Sequence, residues 1–130
     1  MNRFLSRIIR IGRDSSASVA VEFALLLPVY IAFMFGIVEF GRMIWIRNSM
    51  EFAAEIAARY GAITSGATNA TTAAYAMTQL IGVDSATVTF TATVAASTVT
   101  VVGTHAFTTL VGAYVPIPST TLTVTATFAR

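Results

Sequence analysis

The chain has no cysteine and no lysine, and a single histidine, among 130 residues. No disulfide can form, and thiol chemistry and cysteine-ligated metals are excluded. Charge is scarce as well. Charged residues make up 11% of the chain against 55% hydrophobic, a balance that suits a membrane protein better than a soluble enzyme. All eight basic residues are arginine, and four of them, Arg3, Arg7, Arg10 and Arg13, precede Asp14. Beyond residue 17, Arg42, Arg47, Arg59 and Arg130 stand against Glu22, Glu39, Glu51, Glu55 and Asp84, a formal −1. That stretch has no basic patch, so nucleic acid is not an expected partner. His105 has no cysteine and few acids to join it, so it makes no metal set. The chain carries no Ser/His/Asp arrangement, P-loop or G-x-G-x-x-G motif. Neither an enzymatic activity nor a cofactor is expected, and His105 reads as structural.

What the chain does have is one long apolar run, Val19 to Val38, whose only charged residue is Glu22. About 20 such residues span a bilayer core as a helix. The four preceding arginines place the N-terminus on the cytoplasmic side and the remainder outside it. They also suit anionic lipid. A conventional secretory signal is the competing interpretation, but the run exceeds an h-region of about 7–15 residues. The stretch after it, Ile37-Val38-Glu39-Phe40-Gly41-Arg42, is a poor cleavage site. A carboxylate at membrane depth costs a few kcal/mol unless it is paired or near the interface. Glu22 is therefore either an interfacial acid that suits a helix N-terminus or a functional group. Pro28 removes a backbone donor inside the run, so a kink or loosened turn is expected there.

The segment Ala17-Ser-Val-Ala-Val-Glu22-Phe23-Ala-Leu-Leu-Leu-Pro28 resembles the start of a type IV prepilin. Together with Phe35-Gly-Ile-Val-Glu-Phe-Gly-Arg42 it is similar to the TadE-like family of pseudopilins of Flp/Tad (type IVc) pili. The resemblance is dense over residues 17–42 and loose beyond. It implies a basic leader, residues 1–17, cut by a prepilin peptidase between Ala17 and Ser18. Glu22 would then be the fifth mature residue and Phe23 the sixth. In that family the fifth-residue glutamate is thought to neutralise the N-terminal amine of a neighbouring subunit. Ala17 stands where the family usually has glycine, although alanine is also small.

Glu39, Arg42 and Trp45 mark the outer membrane interface, where Arg42 can snorkel and Trp45 suits an aromatic belt. Glu39 and Arg42 are spaced to pair, for a few tenths of a kcal/mol if exposed. The helix is expected to continue amphipathically over residues 42–63. Ile46, Met50, Ala53, Ala57 and Tyr60 form its apolar stripe, and Arg47, Glu51, Glu55 and Arg59 its charged one. Gly61 to Asn69 breaks it. Thr68 or Asn69 caps a second helix over about 70–81, closed by Gly82. Period-two alternation of apolar residues with threonine then predicts strands from Ala86 to Val94, Thr98 to Thr104 and Thr121 to Phe128. Val115-Pro-Ile-Pro118 reads as a rigid extended connection. Phe107, Leu110, Val111 and Tyr114 follow His105 at helical spacing, which leaves that stretch open between strand end and short helix.

The expected fold class is α+β: a long N-terminal transmembrane and amphipathic helix, a second short helix and a small three-stranded antiparallel sheet, pilin-like by the resemblance. Four segments follow: leader 1–17, transmembrane helix 18–41, amphipathic continuation 42–63 and exported head 64–130. By the resemblance the chain is a minor pseudopilin in the bacterial inner membrane, its head periplasmic. Its implied partners are a prepilin peptidase, other pilins and pseudopilins, Tad secretion platform proteins and membrane lipids. A place in the filament and a place at its base both fit the sequence. The alternatives are an uncleaved single-pass scaffold of the same machinery and a secreted periplasmic binding domain.

Overall fold

A computed structural model describes residues 15–110 and 119–130, with side chains from residue 18. The leader and the Val115–Pro118 connection lie essentially outside these residues. Helix α1 (Ser15–Ile63) leads, followed by α2 (Asn69–Thr78) and a short 3-10 turn (Ser85–Thr87). Strands β1 (Val88–Val94), β2 (Thr98–Phe107) and β3 (Thr120–Ala129) complete the fold. They form one antiparallel sheet in the order β1-β2-β3. The fold is α+β.

Two compact units divide the chain, Met1–Val38 and Glu39–Arg130. The described part of the first is helix, apolar all round, with every side chain from Ser18 to Val38 exposed. Its backbone hydrogen bonds close within the helix, which is what a segment without water around it requires. The helix runs through Pro28 without a break.

The second unit holds the core. Ile46, Met50, Ala53, Ala54, Ala57 and Ala58 of α1 pack with Val88, Phe90, Val99, Val101, Phe107, Leu122 and Val124 of the sheet. The alternation predicted from sequence appears as burial: in β1 every second residue from Val88 to Ala92 is buried, and the threonines between them are exposed. The alanine face of α1 lets neighbours approach closely. A Cβ on Gly61 would lie 2.9 Å from Thr72 Oγ1 of α2 and 3.0 Å from Val99 Cγ1 of β2. At Gly103, in the central strand, a Cβ would fall 2.5 Å from Phe90 Cε1. Glycine is what lets the Phe90 ring lie across β2.

Side chains tie the connections down. Thr68 caps α2 in a reciprocal capping box with Thr71. The helix stops at Thr78, three residues short of expectation, with Gln79 as its C-cap. Gly82 does not close it. It sits in the following turn at φ +67°, where a side chain is strained, and against the Trp45 indole. The Ser49 hydroxyl of α1 donates to the Ile81 carbonyl at 3.0 Å and accepts from the Ile81 N–H at 2.9 Å. That satisfies both backbone groups of a residue in no regular element. Asn69 Oδ1 accepts from Val94 N–H at 2.8 Å, which holds the start of α2 to the end of β1.

Strand β2 runs three residues past the expected end and takes His105 and Phe107 into the sheet's buried face. This resolves the ambiguity of that stretch in favour of a strand up to Phe107. His105 is buried, and its Nδ1 donates to the Thr87 carbonyl at 2.8 Å. The carbonyl can only accept, so the Nδ1–H form of the ring is the one bound.

Candidate functional site

Position in α1 decides the exposure of the sequence-predicted residues. The Ala17–Ser18 bond lies in the first turn of the helix. Ser18 and Glu22 are four residues apart, one turn along one face. Ser18, Glu22, Phe23 and Pro28 are all exposed. The helix strings these residues along its length and does not gather them into a pocket. Glu22 forms no hydrogen bond or ion pair within the chain among the described residues. It stands in the run whose most apolar 18-residue window has mean hydropathy 2.2, none of it buried. The helix is thus long and apolar enough to span a membrane.

A second constellation begins where the apolar run ends. Glu39 is buried, at 8% exposure, and its carboxylate accepts from Arg42 Nη2 at 3.0 Å and Nε at 3.3 Å. The same carboxylate accepts from the backbone N–H of Leu110, and Arg42 Nη2 donates to the Thr108 carbonyl. The Arg42 guanidinium also lies 4.4 Å from the centre of the Phe107 ring, within cation–π range. One ion pair on α1 thereby clasps the chain leaving β2. The pair expected from the i,i+3 spacing forms, and the small value for an exposed pair does not apply to it. The pair is half-buried and holds backbone groups far off in sequence, so removing one partner strands the other. Sequence offered the i,i+3 spacing as a signal, and nothing for the 71-residue separation to Leu110.

On the charged stripe, the ion pair that forms is Arg47–Glu51 at 3.1 Å. Glu55 and Arg59, ordered more favourably on paper, make no such bridge. They rim a groove of about 460 Å³ with Ile56 and the outer half of β3, Thr125 to Phe128. Among the described residues no group of three or more His, Asp or Glu is placed to hold a metal.

The family model for TadE-like protein matches residues 17–59. Over those residues the chain is similar to the TadE-like family. The match covers about a third of the chain. No curated protein and no solved structure matches the chain. The matched stretch opens at Ala17 and takes in Ser18, Glu22, Phe23, Pro28, Glu39 and Arg42, along with the α1 half of the core. It ends before α2 and the sheet, so the partners of the Glu39–Arg42 clasp, Thr108 and Leu110, lie outside it.

Proposed function

We propose that this chain is a minor pseudopilin of a Flp/Tad-type pilus, held in the inner membrane by α1 and needed for filament initiation or assembly. The observation that carries the reading is Glu22, an acid without a hydrogen-bond or ion-pair partner among the described residues, near the start of a span-length apolar helix. A lone carboxylate in hydrocarbon costs a few kcal/mol, and a partner in another subunit offsets that cost. A prepilin peptidase cutting between Ala17 and Ser18 supplies the partner, because it frees an amine at Ser18. Phe23 beside Glu22 offers an apolar surface to the neighbouring helix. Pro28, one donor short of a full helical ladder, gives α1 a point of compliance as it leaves the bilayer.

On this reading residues 1–17 are the leader, 18–41 the membrane segment, 42–63 the stem of the head and 64–130 the exported head. Other pilins, the Tad platform and lipid are the partners, and the chain is a substrate of an enzyme without being one. Alanine at position 17, where glycine is usual in such leaders, favours a second reading: an uncleaved single-pass scaffold of the same machinery.

Deleting the chain in a piliated host is expected to remove surface filaments, with the wild-type chain restoring them, as counted by electron microscopy. Undiminished filaments in the deletion strain would contradict a role in assembly.

A further inference from the structure

We propose that the segment Thr108–Leu110, held by the Glu39–Arg42 clasp, rests on the surface of the bilayer that α1 crosses. The inference depends on the membrane reading of α1 and adds to it a lipid contact made by the head. The apolar run ends at Val38, and Glu39 is the next residue. A helix rises about 1.5 Å per residue, so Glu39 to Arg42 covers about 5 Å beyond the run. The headgroup layer on each side of the core is about 5–8 Å deep. Leu110 is tethered by its N–H to Glu39, and Thr108 by its carbonyl to Arg42. Both therefore sit at headgroup level.

The chemistry of the segment suits that layer. Leu110 is 63% exposed, an apolar side chain whose backbone is held by Glu39. The charges next to it are already compensated, since Glu39 is paired with Arg42 and buried. No charged residue occurs between Asp84 and Arg130, so no ion on that stretch has to be drawn from water. Phe40 and Trp45, also exposed, lie within two turns of Glu39, and aromatic residues favour this interface. The occupant that fits is lipid, because Glu39, which holds Leu110, directly follows the apolar run in sequence, and the segment adds no unpaired charge for a protein partner to read.

The absence of cysteine makes the test direct. Single-cysteine variants Leu110→Cys, Ile31→Cys and Ala96→Cys of the full chain carry an environment-sensitive fluorophore in vesicles of phosphatidylethanolamine and phosphatidylglycerol. Nitroxide lipids quench at either headgroup or mid-chain depth. Ala96 lies in the exposed turn at the far end of the β1–β2 hairpin. The label at 110 is expected to shift to the blue and lose most of its emission to the headgroup nitroxide. The label at 31 should be quenched by the mid-chain nitroxide and the label at 96 by neither. If 110 behaves like 96 while 31 is quenched, the proposal is overturned and the spanning reading survives. If 31 is not quenched either, both fall. A label at 110 that is shifted to the blue yet insensitive to both nitroxides overturns the proposal in favour of a protein contact.

Discussion

Glu22→Ala is expected to abolish filament assembly while leaving the protein in the membrane at its normal level. Alanine costs nothing in hydrocarbon, so the substitution removes a penalty of a few kcal/mol on insertion. Among the described residues it breaks no hydrogen bond or ion pair, and Glu22 is exposed. Its effect is confined to contacts between subunits. If the carboxylate meets an N-terminal amine in a low-dielectric bundle, loss of one partner strands a buried charge at about 3–5 kcal/mol. Each 1.4 kcal/mol is tenfold in affinity, so assembly falls by more than a hundredfold at each such contact. Filament counts by electron microscopy, set beside immunoblots of the membrane fraction, read the two effects separately. Glu22→Gln should fail as well, since it keeps the shape and loses the charge. Wild-type filament numbers in either variant would remove the ion-pair role from Glu22.

The largest effect on folding is expected at Met50. Its side chain is fully buried at the centre of the α1–sheet contact, among Ile46, Ala53, Val99 and Val101. Its α1 neighbours there, Ala53, Ala54 and Ala57, are already small, so they cannot fill the space a truncation opens. Met50→Ala should therefore show both the lost transfer energy and the residual cavity, together about 2–5 kcal/mol. For a unit of this size, each 1 kcal/mol moves the midpoint by about 4–8 °C. A drop of roughly 10 °C or more in the thermal unfolding of the micelle-bound protein, followed by circular dichroism, is the expected result. Ile63→Ala, at an exposed position near the end of α1, should stay within about 0.5 kcal/mol of wild type. Equal midpoints for Met50→Ala and Ile63→Ala would mean that α1 does not form the core wall.

Much of this architecture was legible because two periodicities change abruptly along the chain. Ile46, Met50, Ala53 and Ala57 repeat at helical spacing, and after Asp84 threonine and apolar residues alternate. Each pattern maps onto a buried face. What was not legible depends on contacts distant in sequence. The end of α2 was misplaced because Gly82 is a standard stop signal, whereas here it serves a turn packed on Trp45. The extension of β2 through Phe107 follows from pairing with β3 as far as Thr120, which no local pattern in β2 announces. Sequence alternation treats the outer strands alike. In the fold, β1 has α2 beside it through the Asn69–Val94 bond, while β3 has a described neighbour on its β2 side alone. Glu22, Phe23 and Pro28 could be singled out because an acid and a proline are anomalous in an apolar run. The pairing of Glu39 with Arg42 was legible from its i,i+3 spacing, but its hold on Leu110 was not, since no local pattern links positions 71 residues apart.

The most direct measurement is the N-terminal sequence and intact mass of the membrane-fractionated protein from hosts with and without a prepilin peptidase. A chain beginning at Ser18 in the first host and at Met1 in the second is the expected result, and it places a free amine four residues before Glu22. A chain beginning at Met1 in both hosts would contradict the processed pseudopilin and leave α1 as a permanent anchor.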